Sequence, residues 1–117
     1  DITPGGSKSL GVMVEAFEQM MGGVRRQHPE TPVYYIAITP SPLRWEVWDE
    51  SQAINRAISD LVDGMANTYV IDTADQLMSE GLPDDNNYVF DRLHLSEKGY
   101  AIWAEIIRSR IFSDLNL

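Results

Sequence analysis

The chain has 117 residues, 44% of them hydrophobic and 23% charged, which is typical of one soluble globular domain. Eighteen acidic residues against nine Lys plus Arg give a net charge of −9, which argues against a nucleic-acid or anionic-membrane partner. No apolar run approaches the roughly 20 residues needed to span a bilayer. The absence of cysteine excludes disulfides, thiol catalysis and Cys-based zinc sites, and it leaves the redox compartment open.

The first third of the chain predicts a helix followed by a buried strand. After a Pro/Gly/Ser loop at residues 3–8, apolar residues recur every three or four positions up to Gln27-His28-Pro29, where the helix should end. The stretch from Val33 to Ile38 is almost continuously apolar, as expected for a parallel strand covered on both faces. The apolar face of the predicted helix consists of Leu10, Met13, Phe17, Met20 and Val24.

The segment from Leu43 to Trp48 follows the carboxyl end of this strand, where open α/β sheets bind ligands. Its Arg44 and Trp45 could form one wall of a substrate site, and they are the candidate substrate-binding residues. The alternative is that the tryptophans only pack the loop onto the next helix, which is the favoured reading for Trp48.

The middle of the chain repeats the order of helix and strand. A helix is predicted from Asp49 to Ala66, stopped by Asn67, and a second short buried strand covers residues 68–72. Asp72 and Asp75 at its carboxyl end either approach a site or cap the following turn. The polar loop at residues 81–87 lacks the spacing of an EF-hand calcium loop, so a solvated loop is favoured. The predicted apolar face of the second helix consists of Ile54, Ile58, Leu61 and Met65.

Asp91 and His94 form the most informative pair in the chain. Three residues apart, they can share a face in a turn but not along a strand, where side chains alternate. In a turn the carboxylate can accept a hydrogen bond from one imidazole nitrogen and leave the other free to take a proton. A helix should follow directly, because Ser96 is a good N-cap and apolar residues recur from Tyr100 to Ile111.

The block Asp91-Arg92-Leu93-His94-Leu95-Ser96, with Gly99-Tyr100 and Trp103, resembles the last conserved block of the SGNH hydrolases, the GDSL-type esterases and lipases. Residues 33–45 resemble the fourth strand of that family and the loop after it, and Asp1-Ile2 resembles the end of its oxyanion block. The resemblance implies the C-terminal half of a three-layer α/β/α, flavodoxin-like sandwich with a parallel sheet, of bacterial type. We therefore expect residues 1–117 to form a single partial domain.

By this resemblance, Asp91 and His94 are the acid and base of a Ser-His-Asp triad that hydrolyses small esters, with a short acyl group as the first guess. The family's nucleophile serine and oxyanion Gly and Asn blocks are absent from the sequence. Ser7 lacks a preceding strand and Ser41 lies between two prolines, so neither is expected to replace the nucleophile. No metal or organic cofactor is implied. The chain alone should be almost inactive.

Two short strands leave open sheet edges, so we expect the N-terminal half or another chain to cover them as a partner. A signal peptide on the N-terminal half would make the protein secreted or periplasmic. One alternative is a non-catalytic interaction or carbohydrate-binding module on the same scaffold. The other, a flavodoxin-like ligand-binding domain, predicts a Gly-rich phosphate loop that the sequence lacks.

Overall fold

The computed structural model describes residues 10–116, in which helices alternate with short strands. The loop at residues 3–8, Ser7 and the Asp1-Ile2 pair lie outside the described residues. Two 3₁₀ turns, Trp45–Val47 and Asp85–Asn87, interrupt the loops. In chain order the elements are α1 (Leu10–Gln27), β1 (Val33–Ile36), α2 (Trp48–Asp63), β2 (Thr68–Ile71), α3 (Ala74–Leu77), β3 (Met78–Ser79), β4 (Leu82–Pro83) and α4 (Glu97–Asp114).

The chain forms two compact units, and the first consists of residues up to Ile38 together with Val47–Val70. Strands β1 and β2 pair in a two-stranded parallel sheet, connected through α2. Burial of apolar side chains from both helices supplies the main stabilisation of this unit. Its buried core contains Phe17 and Met21 from α1, Val47, and Ile54, Ile58 and Val62 from α2.

Side-chain alternation along β1 gives its two faces different surroundings. The Tyr35 ring packs edge-on against Phe17 of α1, with ring centroids 5.5 Å apart. Tyr34 instead stacks on Tyr69 of β2, with centroids 5.1 Å apart, and both tyrosines are half-buried. Within the described residues every residue of β1 is half-buried, so both faces of the strand are covered in part.

Asn55 of α2 holds the backbone just after the carboxyl end of β1. Its side-chain Oδ1 accepts hydrogen bonds from the Ile38 N–H at 2.9 Å and from the Tyr35 hydroxyl at 3.0 Å. Its Nδ2 donates to the Ile38 carbonyl at 3.0 Å. The amide thus replaces a neighbouring strand for both backbone groups of Ile38, which holds the backbone in place where the next loop begins.

Arg25 joins the ends of both long helices in this unit. Its guanidinium donates to four backbone carbonyls and one hydroxyl, the multidentate geometry for which a planar fork of N–H donors is suited. These bonds tie the segment that follows α1 to the segment between α2 and β2. The acceptors are the carbonyls of His28, Thr31, Ala66 and Asn67 and the hydroxyl of Thr68, at 2.6–3.1 Å.

Two details of the predicted helices need correction. Met20 of α1, which was predicted on the apolar face, is 56% exposed. Its neighbour Met21 is buried in its place. Helix α2 ends at Asp63 rather than Ala66, because Gly64 leaves the helix and its N–H bonds back to the Leu61 carbonyl. Asn67, the predicted stop, adopts a positive φ of 53° before β2 begins.

The second unit consists of Thr39–Glu46 and the residues from Ile71 onward. Strands β3 and β4 form a two-residue antiparallel hairpin, and the long helix α4 closes the unit. In α4 the residue that is fully buried is Gly99, and the apolar side chains from Tyr100 to Ile111 are half-buried or exposed. The helix predicted after Ser96 is confirmed, whereas its apolar face is covered only partly by the described residues.

Candidate functional site

The predicted acid–base pair lies at the tip of an eight-residue loop, residues 88–95, which is named the acid–base loop after this prediction. The loop begins and ends in an antiparallel bridge between Tyr88 and Leu95. Next along this ribbon, the Val89 N–H donates to the His94 carbonyl at 2.9 Å. The Arg92 N–H closes the tip by donating to the Val89 carbonyl at 2.8 Å. The turn geometry expected from the three-residue spacing of Asp91 and His94 is therefore present.

Asp91 organises this tip with both of its carboxylate oxygens. Oδ1 accepts hydrogen bonds from the N–H groups of Leu93 and His94, at 2.9 and 3.0 Å, which is the Asx-turn pattern. Oδ2 lies 2.6 Å from Nδ1 of His94. The hydrogen bond from His94, followed by the two backbone N–H bonds, lowers the pKa of Asp91 from 3.8 to about 2.

An ionised Asp91 selects one form of the imidazole. Because the carboxylate can only accept at neutral pH, Nδ1 of His94 carries the proton and donates it to Oδ2. The second ring nitrogen, Nε2, then has its lone pair available for an incoming proton. The His94 side chain is 69% exposed, and within residues 10–116 no serine hydroxyl bonds to either of its ring nitrogens.

Helix α4 holds the C-terminal end of this loop. Ser96 is the N-cap, as predicted: its Oγ accepts from the Gly99 N–H at 3.2 Å and donates to the Asn86 carbonyl at 2.8 Å. The Ser96 N–H donates to the Asn87 carbonyl at 2.8 Å. Gly99 packs so closely on Asn87 that a Cβ there would lie 2.1 Å from the Asn87 oxygen. His94 thus lies two residues before Ser96, which three hydrogen bonds to backbone groups hold at the start of α4.

Tyr88 holds the other end of the loop. Its ring is buried, and its hydroxyl donates to the carbonyl of Pro40 at 2.5 Å. Burial, with a smaller contribution from the charge of Asp84, raises the pKa of Tyr88 to about 12, so the hydroxyl keeps its proton at physiological pH. The bond joins the acid–base loop to the segment that follows Ile38.

The same segment contacts the tip of the loop. The Leu43 N–H donates to the Arg92 carbonyl at 3.0 Å, and Arg92 holds a positive φ of 62°, which is uncommon for a residue with a Cβ. Arg44 and Trp45 come directly after this contact and are both half-buried. Their backbone is therefore placed next to the acid–base loop, and their role in binding substrate stays a prediction. Trp48 is 8% exposed in the first turn of α2, in keeping with the packing role favoured for it.

The remaining candidates from the sequence have structural contacts. Ser41 is 3% exposed, and its hydroxyl accepts from the Arg44 N–H at 3.2 Å. Asp72 uses Oδ1 to accept from the Ala74 N–H at 2.9 Å, which is the capping alternative. Among the described residues no group of three or more His, Asp or Glu side chains could hold a metal ion. Over residues 10–116, no helix combines the length and apolar character needed to cross a membrane.

Comparison with known proteins assigns the family. The model of the GDSL-like lipase/acylhydrolase family matches residues 4–102. The chain belongs to this family. The resemblance seen in the Asp91–Ser96 block is therefore confirmed, together with the α/β fold class. The comparison with curated proteins gives no match.

A solved structure from Streptococcus pneumonia, provisionally described as a platelet activating factor, has the same fold as this GDSL-like chain. The two superpose with a TM-score of 0.75 at 21% sequence identity, over 86% of this chain. The match covers 51% of the other chain, so the present chain spans about half the length of that structure.

Sequence reasoning predicted the contact between Asp91 and His94 in this GDSL-like chain but missed the residues that hold its loop. Nothing local in the sequence pointed to the bond between Tyr88 and Pro40, 48 residues earlier. The bond from Leu43 to Arg92 is equally non-local. Gly99 carried a weak signal, because a glycine in the first turn of a helix lowers helix propensity and suggests close packing.

Proposed function

We propose that this chain supplies the acid and base of a Ser-His-Asp triad in a carboxylic ester hydrolase. The observation that carries the proposal is the 2.6 Å contact between Oδ2 of Asp91 and Nδ1 of His94, in a turn that leaves Nε2 available. Membership in the GDSL-like lipase/acylhydrolase family supports ester hydrolysis in general.

In the proposed reaction, Nε2 of His94 takes the proton of a serine hydroxyl as its oxygen attacks the ester carbonyl. The resulting imidazolium is stabilised by the Asp91 carboxylate and then donates its proton to the leaving alcohol. Water repeats the cycle on the acyl-enzyme, with His94 again acting first as base and then as acid. Asp91 stays ionised throughout, consistent with its low pKa.

We further propose that the nucleophile and the oxyanion donors come from polypeptide outside these 117 residues. Ser41 supports this view, because its hydroxyl is buried and bonded to the Arg44 N–H instead of to His94. The length of the matched solved structure, about twice the matched region, leaves room for such a segment. That segment, or another chain, would also be the partner that covers the open sheet edge.

For the substrate, we propose a small neutral ester with a short acyl group. Arg44 and Trp45 would form one wall of its site, because the preceding residue, Leu43, bonds to the backbone of the acid–base loop. The net charge of −9 disfavours polyanionic substrates.

Hydrolysis of a short-chain nitrophenyl ester tests this function. The assay uses the 117-residue chain and a form of the protein extended on the N-terminal side of Asp1. We expect turnover in the extended form, lowered by about 10³-fold or more in His94→Ala because triad members act as a unit. His28→Ala is the matched control, since His28 is an exposed residue at the end of α1.

The outcomes separate the readings. Turnover by the 117-residue chain alone that His94→Ala abolishes would mean that a nucleophile or activated water lies within these residues. Equal turnover of the extended protein and its His94→Ala variant would refute the triad role. An inert extended protein would favour the alternative of a non-catalytic interaction or carbohydrate-binding module on this scaffold.

A further inference from the structure

Arg92 holds a backbone conformation that its side chain makes costly. Its φ of 62° lies in the left-handed region, which glycine adopts freely and asparagine tolerates. Among the described residues, the other non-glycine residues with a positive φ are Asn67, Glu80 and Asn116. Two of these are asparagine, and Glu80 lies in the turn between β3 and β4, where a positive φ matches the twist of a tight hairpin. Arg92 has neither explanation.

Hydrogen bonds hold both backbone groups of Arg92. Its N–H donates to the Val89 carbonyl at 2.8 Å, and its carbonyl accepts from the Leu43 N–H at 3.0 Å. The second bond comes from a distant part of the sequence, so it forms only when the chain folds. A strained residue persists where the surrounding contacts over-determine its conformation, and such residues concentrate at functional sites. The strain at Arg92 therefore calls for a functional explanation.

The conformation of Arg92 decides how Asp91 meets its hydrogen-bond donors. Arg92 is the residue between Asp91 and Leu93, so its φ and ψ set the direction in which the chain continues to His94. Leu93 and His94 both donate their backbone N–H to Oδ1 of Asp91, at 2.9 and 3.0 Å. Oδ2 of the same carboxylate lies 2.6 Å from Nδ1 of His94. Rotation of Arg92 into the right-handed or extended region would move these donors away from Asp91, and the imidazole with them.

The side chain of Arg92 contributes little to this arrangement. Its guanidinium lies 3.8 Å from a carboxylate oxygen of Asp85, and the two side chains are 62% and 78% exposed. An exposed ion pair of this kind adds little to stability. The low pKa of Asp91 comes from its bonds to the His94 side chain and to the two backbone N–H groups. The backbone of Arg92 is therefore the part that can act on the acid–base pair.

We propose that Arg92 is a positioning residue, whose left-handed backbone keeps the Asp91 carboxylate in contact with the His94 imidazole. The proposal rests on the function proposed above for the catalytic role of that pair. Because the Leu43 N–H bonds to the Arg92 carbonyl, the segment Thr39–Glu46 and the acid–base pair are coupled through one backbone bond. A shift of Arg92 should therefore loosen both contacts together.

Substitutions that differ in their tolerance of a positive φ test the proposal. Arg92→Val places a β-branched residue where φ is positive, which is strongly disfavoured, whereas Arg92→Gly relieves the strain and Arg92→Gln removes only the charge. In NMR titrations of the 117-residue chain, the pKa of Asp91 should rise from about 2 toward 3.8 in Arg92→Val and stay near 2 in the other two variants. Hydrogen exchange of the Leu43 amide should accelerate by about tenfold or more in Arg92→Val alone.

Glu80→Val is the matched control, because Glu80 is an exposed residue with a φ of 54°. It should lower the urea midpoint about as much as Arg92→Val does, since both place a β-branched side chain at a positive φ. It should leave the Asp91 pKa and the exchange of the Leu43 amide unchanged. In the extended protein, kcat for the nitrophenyl ester should fall on the order of tenfold in Arg92→Val with KM nearly constant, and Arg92→Gly should restore most of that loss.

Each opposite result overturns the proposal. An Asp91 pKa near 2 in folded Arg92→Val would show that the pair does not depend on this backbone. An equal rise in Arg92→Gln would assign the effect to the guanidinium, and an equal rise in Glu80→Val would reduce it to a general loss of stability. If Arg92→Val does not fold, Arg92→Ala replaces it and should give a smaller rise; no rise there overturns the proposal as well. Failure of the triad would appear separately, as unchanged ester hydrolysis in His94→Ala.

Discussion

Replacing Gly99 by alanine should separate α4 from the turn that precedes the acid–base loop. The new Cβ would lie 2.1 Å from the Asn87 carbonyl oxygen, 3.0 Å from the Asn87 carbonyl carbon and 3.1 Å from Cδ2 of Leu95. The first two atoms are backbone, so rotation of a side chain cannot relieve the clash. The helix start and the turn must instead move apart by roughly 1.3 Å to reach ordinary contact, which begins at 3.4 Å.

The expected cost follows from two opposing effects. Overpacking of this kind costs about 1–3 kcal/mol, and stretching the Ser96 N–H bond to the Asn87 carbonyl adds about 1 kcal/mol. Alanine in place of glycine within a helix returns about 1 kcal/mol. The free energy of unfolding should therefore fall by about 1–3 kcal/mol, with the clash outweighing the gain in propensity.

Gly23→Ala in α1 is the matched control. Its Cβ would meet Nη2 of Arg26 at 3.7 Å, an ordinary contact with the flexible end of a side chain. With no clash, the same substitution should raise the free energy of unfolding by about 0.5–1 kcal/mol. Thermal unfolding followed by circular dichroism should therefore shift the two melting temperatures in opposite directions.

A functional readout accompanies the stability measurement. When Ser96 moves with α4, the loop that ends at Leu95 loses one attachment, so the contact between Asp91 and His94 should loosen. The pKa of Asp91 should then rise from about 2 toward 3.8 in Gly99→Ala and stay unchanged in Gly23→Ala. A Gly99→Ala variant as stable as the wild type, with the same Asp91 pKa, would refute the close packing of α4 on this turn.

Three further measurements test the contacts around the site and the first unit. Arg25→Gln removes most of the five hydrogen bonds that Arg25 donates and should lower the free energy of unfolding by about 2–3 kcal/mol in a urea titration. Arg26→Gln, at the exposed neighbouring residue, is the control and should change the free energy of unfolding by less than about 0.5 kcal/mol. Tyr88→Phe leaves the buried Pro40 carbonyl without its hydroxyl donor and should cost about 1–3 kcal/mol in the same titration; an unchanged midpoint would contradict that bond. In a carbon-detected NMR titration the Asp91 carboxyl should titrate near pH 2. Because its folded pKa lies below 3.8, the stabilisation from its turn is complete above about pH 4 and is lost as the pH falls toward 2. A pKa of 3.8 for Asp91 in the folded chain would contradict the Asp91–His94 bond.

Local pattern explains most of what the sequence predicted correctly. The N-cap at Ser96 was predictable because its hydroxyl bonds to a backbone N–H only three residues away. The Asp91–His94 pair was predictable for the same reason, since an Asx-turn is closed by the residues it contains. Local pattern does not fix which side of an amphipathic helix is buried: Met20 and Met21 are equally apolar, and packing in the folded unit buries Met21 and leaves Met20 56% exposed.

The sequence by itself determined the family, the order of the three long helices and of the two strands of the parallel sheet, and the turn that brings a carboxylate to an imidazole, whereas it did not predict α3, β3 or β4. Each of these depends on contacts within a few residues or on a recognisable block. Only the tertiary structure decided what holds that turn in place, namely the bonds from Tyr88 to Pro40 and from Leu43 to Arg92. It also decided that Phe90 lies in solvent beside the pair. Residues 40–50 apart in the chain meet only after the units fold, because side-chain type restricts local backbone geometry but does not specify distant partners.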